Sequence, residues 1–157
     1  MSDTERGYTI VRTFEATPDM VWSAWTTPEH FAAWWGGADM RVEDVALDVR
    51  VGGEWRARMV LSNGHEIPWT GTYHEVVEPE RLVLDLDDGT GEPGETVELF
   101  TVTIAPTDDG RSEMTLTQSG GNLSDEEYER ARIGTNSFLD AMEALFRETI
   151  KGRHENA

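Results

Sequence analysis

The stretch LSDEEYERARIGTNSFLDAMEALFRETIKG, residues 123–152, constrains the fold more than any other part of this chain. It opens on a capping box: in Ser124-Asp125-Glu126-Glu127 the serine hydroxyl is placed for the Glu127 N–H, and the Glu127 carboxylate for the Ser124 N–H. Leu123 and Tyr128 stand where a hydrophobic staple fixes the entry angle, and acidic residues fill the positive first turn. The spacing predicts one long helix beginning near Ser124. Tyr128, Ala131, Phe138, Met142, Leu145 and Phe146 form its apolar stripe, and Arg147 and Lys151 close it near a Gly152 cap. Such a stripe must be covered by something apolar.

The rest of the chain reads in shorter segments. YTIVRTFEA, residues 8–16, alternates Tyr8, Ile10, Arg12 and Phe14 with Thr9, Val11 and Thr13, as a pleated strand requires. Thr17-Pro18-Asp19 then starts a helix: a capping hydroxyl, a proline where no N–H is needed, and an acid at the positive end of the dipole. Val21, Trp22 and Trp25 make its stripe. Thr27-Pro28-Glu29 repeats the signal for a second short helix carrying Phe31, Trp34 and Trp35. Strands are expected at about 41–50, 53–62, 66–78, 81–87, 95–105 and 111–119. Asn63-Gly64 marks a hairpin in which both residues take the positive φ of a type I′ turn; Asp109-Gly110 marks another, and Gly89 to Glu95 form a loop. With no repeat, linker or low-complexity tract, residues 1–157 are expected to form one domain with its core at about 7–151. Only a sheet is large enough to cover the last helix. The expected class is therefore α+β: a curved antiparallel sheet of six to seven strands around a long C-terminal helix, with two short helices after the first strand.

Charge and composition then remove function classes. The 31 acidic residues outnumber the 13 basic ones for a net −18, and the single lysine is Lys151. Phosphate backbones and anionic membrane surfaces would be repelled, so nucleic acid and membrane are not expected partners. The absence of cysteine excludes disulfides, thiolate metal sites and a cysteine nucleophile. MSDTERGYTIVRTF lacks the basic start and apolar run of a signal peptide, which makes a cytoplasmic location the expectation. The histidines His30, His65, His74 and His154 have no close metal-ligand spacing, and neither metal nor cofactor is expected. Nucleophile elbow, phosphate loop and dinucleotide fingerprint are missing, and Ser119-Gly120-Gly121-Asn122 lacks the lysine or helix context of a phosphate site. Tyr73 and His74 are acid–base candidates, but neither is paired in sequence with a second group.

Certain residues, in order, carry a resemblance. They are Arg12-Thr13-Phe14, Pro18 with Val21-Trp22, Trp25-Thr26-Thr27-Pro28-Glu29, Trp34-Trp35-Gly36, Asp48-Val49-Arg50-Val51-Gly52-Gly53, Trp55-Arg56, Gly64, Gly71 with Tyr73, and Pro79-Glu80-Arg81-Leu82. Together they resemble the START-like (SRPBCC, helix-grip) superfamily, and within it the group named after the C-terminal domain of the activator of the heat-shock protein 90 ATPase. The resemblance implies a birch-pollen-allergen-like fold whose sheet grips the long helix and leaves a cavity, closed at one end by the two short helices. It also implies a small hydrophobic ligand of unknown identity, and a binding protein more than an enzyme. The alternatives it leaves are an enzyme acting on a small organic or polyketide-like substrate in the same cavity, and a chaperone-associated protein-binding domain. The last is weakest, since the named activator uses an additional N-terminal domain. Relatives are often dimers, so a homodimer is expected. Where members often carry Gly-Trp near the start of the last helix, this chain reads Gly134-Thr135-Asn136-Ser137-Phe138.

Strand alternation selects the cavity wall. Trp55, Ala57, Met59 and Leu61 share one face, opposite Glu54, Arg56 and Arg58. By the same rule Trp69 and Tyr73, Leu84, Phe100, and Met114 with Gln118 face inward, joined by Gly134, Asn136, Phe138 and Met142 of the helix. Tyr73, Gln118 and Asn136 would be the polar points of an otherwise apolar pocket. Gly134, interior to a helix, costs about 1 kcal/mol against alanine, so a ligand or a close strand crossing is expected beside it. Trp22 and Trp25 share a helical face and belong to the core. Trp34 and Trp35 are adjacent, which is expected to turn one of them toward the cavity mouth or a partner.

Overall fold

The computed structural model describes residues 7–36, 40–87, 98–120 and 123–155, and of 150–155 the backbone alone. The loop expected at Gly89 to Glu95 and the residues Gly121 and Asn122 lie outside the described residues. In chain order the elements are β1 (Gly7–Phe14), α1 (Pro18–Thr26), α2 (Pro28–Trp34), β2 (Arg41–Leu47), β3 (Glu54–Val60), β4 (Glu66–Val77), β5 (Arg81–Leu86), β6 (Glu98–Pro106), β7 (Ser112–Ser119) and α3 (Asp125–Glu155). Seven strands form one antiparallel sheet in the order β1-β7-β6-β5-β4-β3-β2. The chain thus has the helix-grip α+β fold, with α3 packed against β1 and α2.

Local chemistry explains the elements. Thr17 caps α1 by accepting from the Met20 N–H, 3.3 Å away. The capping box of α3 closes in both directions: the Ser124 N–H donates to Glu127 Oε1 at 2.8 Å, and the Glu127 N–H to Ser124 Oγ at 3.1 Å. Two bulges shape the sheet. Between Glu43 and Ala46, β2 inserts one extra residue against β3, with Asp44 at φ 55, and between Tyr73 and Glu75, β4 does the same against β5. A bulge resets the two-residue alternation, which is how Tyr73 and Val76 both pack inward on one strand. Arg12, on the inward face of β1, reaches under α3 to Asp140 at 2.9 Å and Glu143 at 2.6 Å, tying the edge strand to the helix.

Three local expectations are corrected. At the β3–β4 hairpin only Gly64 takes positive φ (87°), the Gly64 N–H donates to Leu61 O, and Leu61 N–H to His65 O. That is a three-residue loop, a type I turn ending on a left-handed glycine, not a two-residue type I′ turn. Asn63 keeps ordinary φ because its side chain accepts from the His65 N–H at 2.9 Å. The β6–β7 hairpin has the same form, with Gly110 at φ 84° and bonds between Thr107 and Arg111. Finally, α3 does not end at Gly152: it runs through to Glu155, since a glycine stops a helix only where the chain has a reason to turn.

Candidate functional site

The two short helices deliver aromatic side chains into the space between the sheet and α3. Trp34 closes α2, and Trp35 follows as its C-cap with φ −66° and ψ 128°. Because Trp35 has left helical geometry, the 100° separation of helical neighbours does not apply. Both rings turn inward and both residues are 1 % exposed. Of the two directions expected for one of them, the cavity mouth or a partner, the second is therefore corrected: neither ring is exposed to a partner. Trp34 packs edge-on to Trp25 and Phe31 and donates its indole N–H to the Ala24 carbonyl at 2.7 Å. Trp35 lies deeper: it stacks on Phe31 at 4.9 Å and meets Trp55, Trp69, Phe100 and Phe138 edge-on at 5.3 to 6.1 Å.

Most of the residues singled out from the sequence are brought together here. Trp55, Met59, Tyr73, Leu84, Phe100, Met114 and Met142 are buried in one cluster, with Trp69 and Phe138 part-buried against it. Gln118 is buried beside them. Gly71 is required by packing: a Cβ there would stand 1.9 Å from the Asp85 carbonyl oxygen and 2.3 Å from Trp55 Nε1, the two atoms that bond each other at 2.9 Å. Gly134 is the opposite case. A Cβ on it would meet nothing within 4 Å outside its own helix, so no strand crosses closely, and the space beside it is open. Phe138 follows one turn later on the same flank. Asn136, about 200° around the helix from Gly134, stands on the other flank, where its carbonyl accepts from Arg12 at 3.3 Å. Asn136 and Gly134 therefore do not face one pocket.

The polar side of this interior is a network only partly visible in the sequence. The Tyr8 hydroxyl donates to Gln118 Oε1 at 2.6 Å and lies 2.7 Å from the Thr135 hydroxyl. Gln118 Nε2 donates to one Glu98 oxygen at 3.0 Å and the Tyr128 hydroxyl to the other at 3.2 Å. Burial pushes the Tyr8 pKa up to about 12, against the lowering bond from Thr135, with the charge of Glu98 adding to the rise. Reasoning from sequence found Gln118 but missed Tyr8, Thr135, Glu98 and Tyr128. The available signal was Tyr8 on the inward face of β1, where a hydroxyl must find a partner.

Three indole N–H groups remain buried with no hydrogen-bond partner among the described residues: those of Trp25, Trp35 and Trp69. Tyr73 and His74 prove to be on opposite faces of β4. Tyr73 is buried, and burial, then the charge of Asp48, raises its pKa well above the ordinary phenol range, so it stays a neutral donor near pH 7. His74, in the bulge, points outward to Asp85 Oδ2 at 2.7 Å, and the same carboxylate accepts from the Thr72 hydroxyl at 2.6 Å. The two cannot serve one reacting centre. No group of three or more potential metal ligands occurs among the described residues, and no helix there is long and apolar enough to cross a membrane.

A separate pocket of about 350 Å³ opens on the outside, between α1, His30 of α2 and the far end of α3 at Leu145, Phe146 and Thr149. Its polar rim includes Asp19 and Ser23, whose hydroxyl lies 3.0 Å from His30 Nδ1 and 2.9 Å from the Thr27 hydroxyl. None of the predicted cavity residues lines it. Thr27 accordingly makes no side-chain cap on α2.

Residues 15–147 match the family described as Activator of Hsp90 ATPase homolog 1-like protein. Among solved structures, a Chromobacterium violaceum protein superposes with a TM-score of 0.79 at 22 % identity, covering 90 % of this chain and 97 % of that one. A Staphylococcus aureus protein of unknown function gives 0.79 at 20 % identity, over 94 % and 96 % of the two chains. An uncharacterised Rhizobium leguminosarum protein gives 0.72 at 24 %, over 92 % and 95 %. At these identities the likeness establishes the fold alone. No curated protein matches the sequence significantly.

Proposed function

The chain belongs to the Activator of Hsp90 ATPase homolog 1-like family, and from that premise we propose that it binds a small hydrophobic molecule between the sheet and α3. The observation that carries this is that Trp35 and Trp69 keep sealed, unpartnered indole N–H groups in an aromatic interior, with Gly134 on the flank of α3 where Phe138 stays part-buried against Trp35. A helix under selection for stability alone would carry a residue with a side chain there, since glycine costs about 1 kcal/mol and nothing crowds the position. The wall is apolar and aromatic, from Trp35, Trp55, Met59, Trp69, Phe100 and Phe138, with Tyr73 and Gln118 as polar points. That composition suits a neutral organic ligand of modest size.

Two measurements test the reading. Native mass spectrometry of the purified protein is expected to show a retained organic molecule or, after denaturing and refolding, an empty chain that takes up one equivalent of the neutral dye Nile red. Saturable binding that quenches tryptophan fluorescence and is lost in Gly134→Trp supports the assignment. A folded protein that neither retains nor takes up any apolar molecule refutes it, and an empty protein that co-purifies with a chaperone assigns the domain to protein binding instead.

A further inference from the structure

We propose that the ligand of this interior carries a neutral, acceptor-only oxygen, as in a ketone or an ester, which accepts from the indole N–H groups of Trp35 and Trp69; this rests on the cavity reading above and specifies its chemistry. The starting observation is a contrast among the tryptophans. Trp34 and Trp55 give their N–H groups to backbone carbonyls at 2.7 and 2.9 Å. Trp25, Trp35 and Trp69 do not, although all three nitrogens are sealed from solvent, and of these Trp35 and Trp69 are in ring contact with each other. Buried donors are nearly always satisfied, and an unmade bond of this kind costs the full desolvation of the group. Here two such donors share one neighbourhood, the rings meeting edge-on with centroids 5.6 Å apart at 87°.

What could satisfy them follows from donor and acceptor counting. A buried water needs two to four polar partners and brings two hydrogens of its own, and the rings around Trp35 offer no acceptor for them. An alcohol would have to give its one hydrogen to the Tyr73 hydroxyl, a polar point of this wall, instead of to the rings around Trp35. A carbonyl oxygen has two lone pairs and no hydrogen to place, which fits a pair of donors in an aromatic surround. Charge removes the remaining class. Among the described residues the buried polar side chains, apart from the tyrosine hydroxyls, are Ser112, Gln118 and Thr135, and no buried cation stands ready to receive a carboxylate or phosphate. In a chain of net charge −18 an anionic ligand would be desolvated and repelled.

Three probes of one shape separate these possibilities: naphthyl methyl ketone, ethylnaphthalene and naphthoate, titrated calorimetrically into the full-length protein. The ketone is expected to bind roughly ten-fold tighter than the hydrocarbon, the naphthoate more weakly than the ketone, and Trp69→Phe to bring the ratio of ketone to hydrocarbon affinity close to one, whatever it does to the two affinities together. Proton NMR of the wild type needs no variant. Of the six indole N–H resonances, two should move downfield with the ketone and not with ethylnaphthalene. Equal affinity for ketone and hydrocarbon, with unmoved indole resonances, overturns this inference while leaving the cavity assignment standing. Tightest binding by naphthoate overturns it in favour of an anionic ligand. If none of the three binds to the folded protein, the cavity assignment itself falls.

Discussion

Replacing Gly134 by alanine should stabilise the protein, and the size of the effect follows from two facts. The position is interior to α3, where alanine is favoured over glycine by about 0.8 to 1 kcal/mol. The added Cβ meets nothing within 4 Å beyond the helix itself, so no steric term opposes that gain. For a chain of 157 residues, about 1 kcal/mol raises the thermal midpoint by roughly 2–4 °C. Circular dichroism at the helix band, scanned with and without denaturant, reads the shift directly. Gly134→Trp extends the test: if the space is open, the variant stays folded and loses Nile red binding, whereas a closed site would be overpacked at a cost of about 1–3 kcal/mol. A Gly134→Ala protein that melts lower than the wild type would refute the reasoning, because something must then occupy the space that the glycine leaves.

Gly71→Ala should act in the opposite sense, lowering the urea midpoint by at least the equivalent of about 2 kcal/mol, because the new methyl lies where the Trp55 indole and Asp85 carbonyl meet; an unchanged midpoint would contradict the geometry. Ser124→Ala removes one half of the α3 capping box and should cost about 1 kcal/mol in thermal denaturation, with the first turn of α3 exchanging its amide protons faster. In alkali, burial raises the folded Tyr8 phenol to about 12, above its unfolded value near 10, so its contribution is complete below pH 10 and is lost as pH rises from 10 to 12. Absorbance at the phenolate band should then rise together with unfolding, and a Tyr8 that ionised near pH 10 with the fold intact would count against the network drawn around it.

The parts of this fold that were legible in the sequence are those decided by neighbours a few residues apart. The Ser124 to Glu127 box is a contact over three residues, and the inward faces of β3 and β7 follow from strict alternation, so Trp55, Met59, Met114 and Gln118 could be placed without coordinates. Errors arose where an element stops or its period breaks. For Trp35, helical spacing gives a direction that the residue does not have, because it caps the helix instead of continuing it. The Asn-Gly signal implies a left-handed conformation at Asn63 that its own side-chain bond to the His65 N–H makes unnecessary. Asn136 lies near Gly134 in sequence, but two residues along a helix turn a side chain most of the way to the other side. The network through Tyr8, Gln118, Glu98 and Tyr128 joins three strands and a helix, and no local pattern announces a contact over 110 residues.

The tryptophans connect what holds the fold to what the interior can bind. Regular strands and helices use up their own carbonyls, so an indole buried against them finds an acceptor only where a segment ends or two strands separate locally. Trp34 finds one at Ala24, near the end of α1, and Trp55 finds one at Asp85, where Gly71 leaves room for the approach. Trp35 and Trp69 are held instead in the middle of the assembly, by ring contacts worth about 0.5 to 1.5 kcal/mol each beyond their buried area. Those contacts are enough to offset an unmade hydrogen bond, of about 1–3 kcal/mol, without removing it. The fold therefore tolerates unpaired indole donors, and on the reading proposed above an apolar molecule bearing a carbonyl would satisfy those of Trp35 and Trp69 without adding a hydrogen that the aromatic wall must leave unpaired.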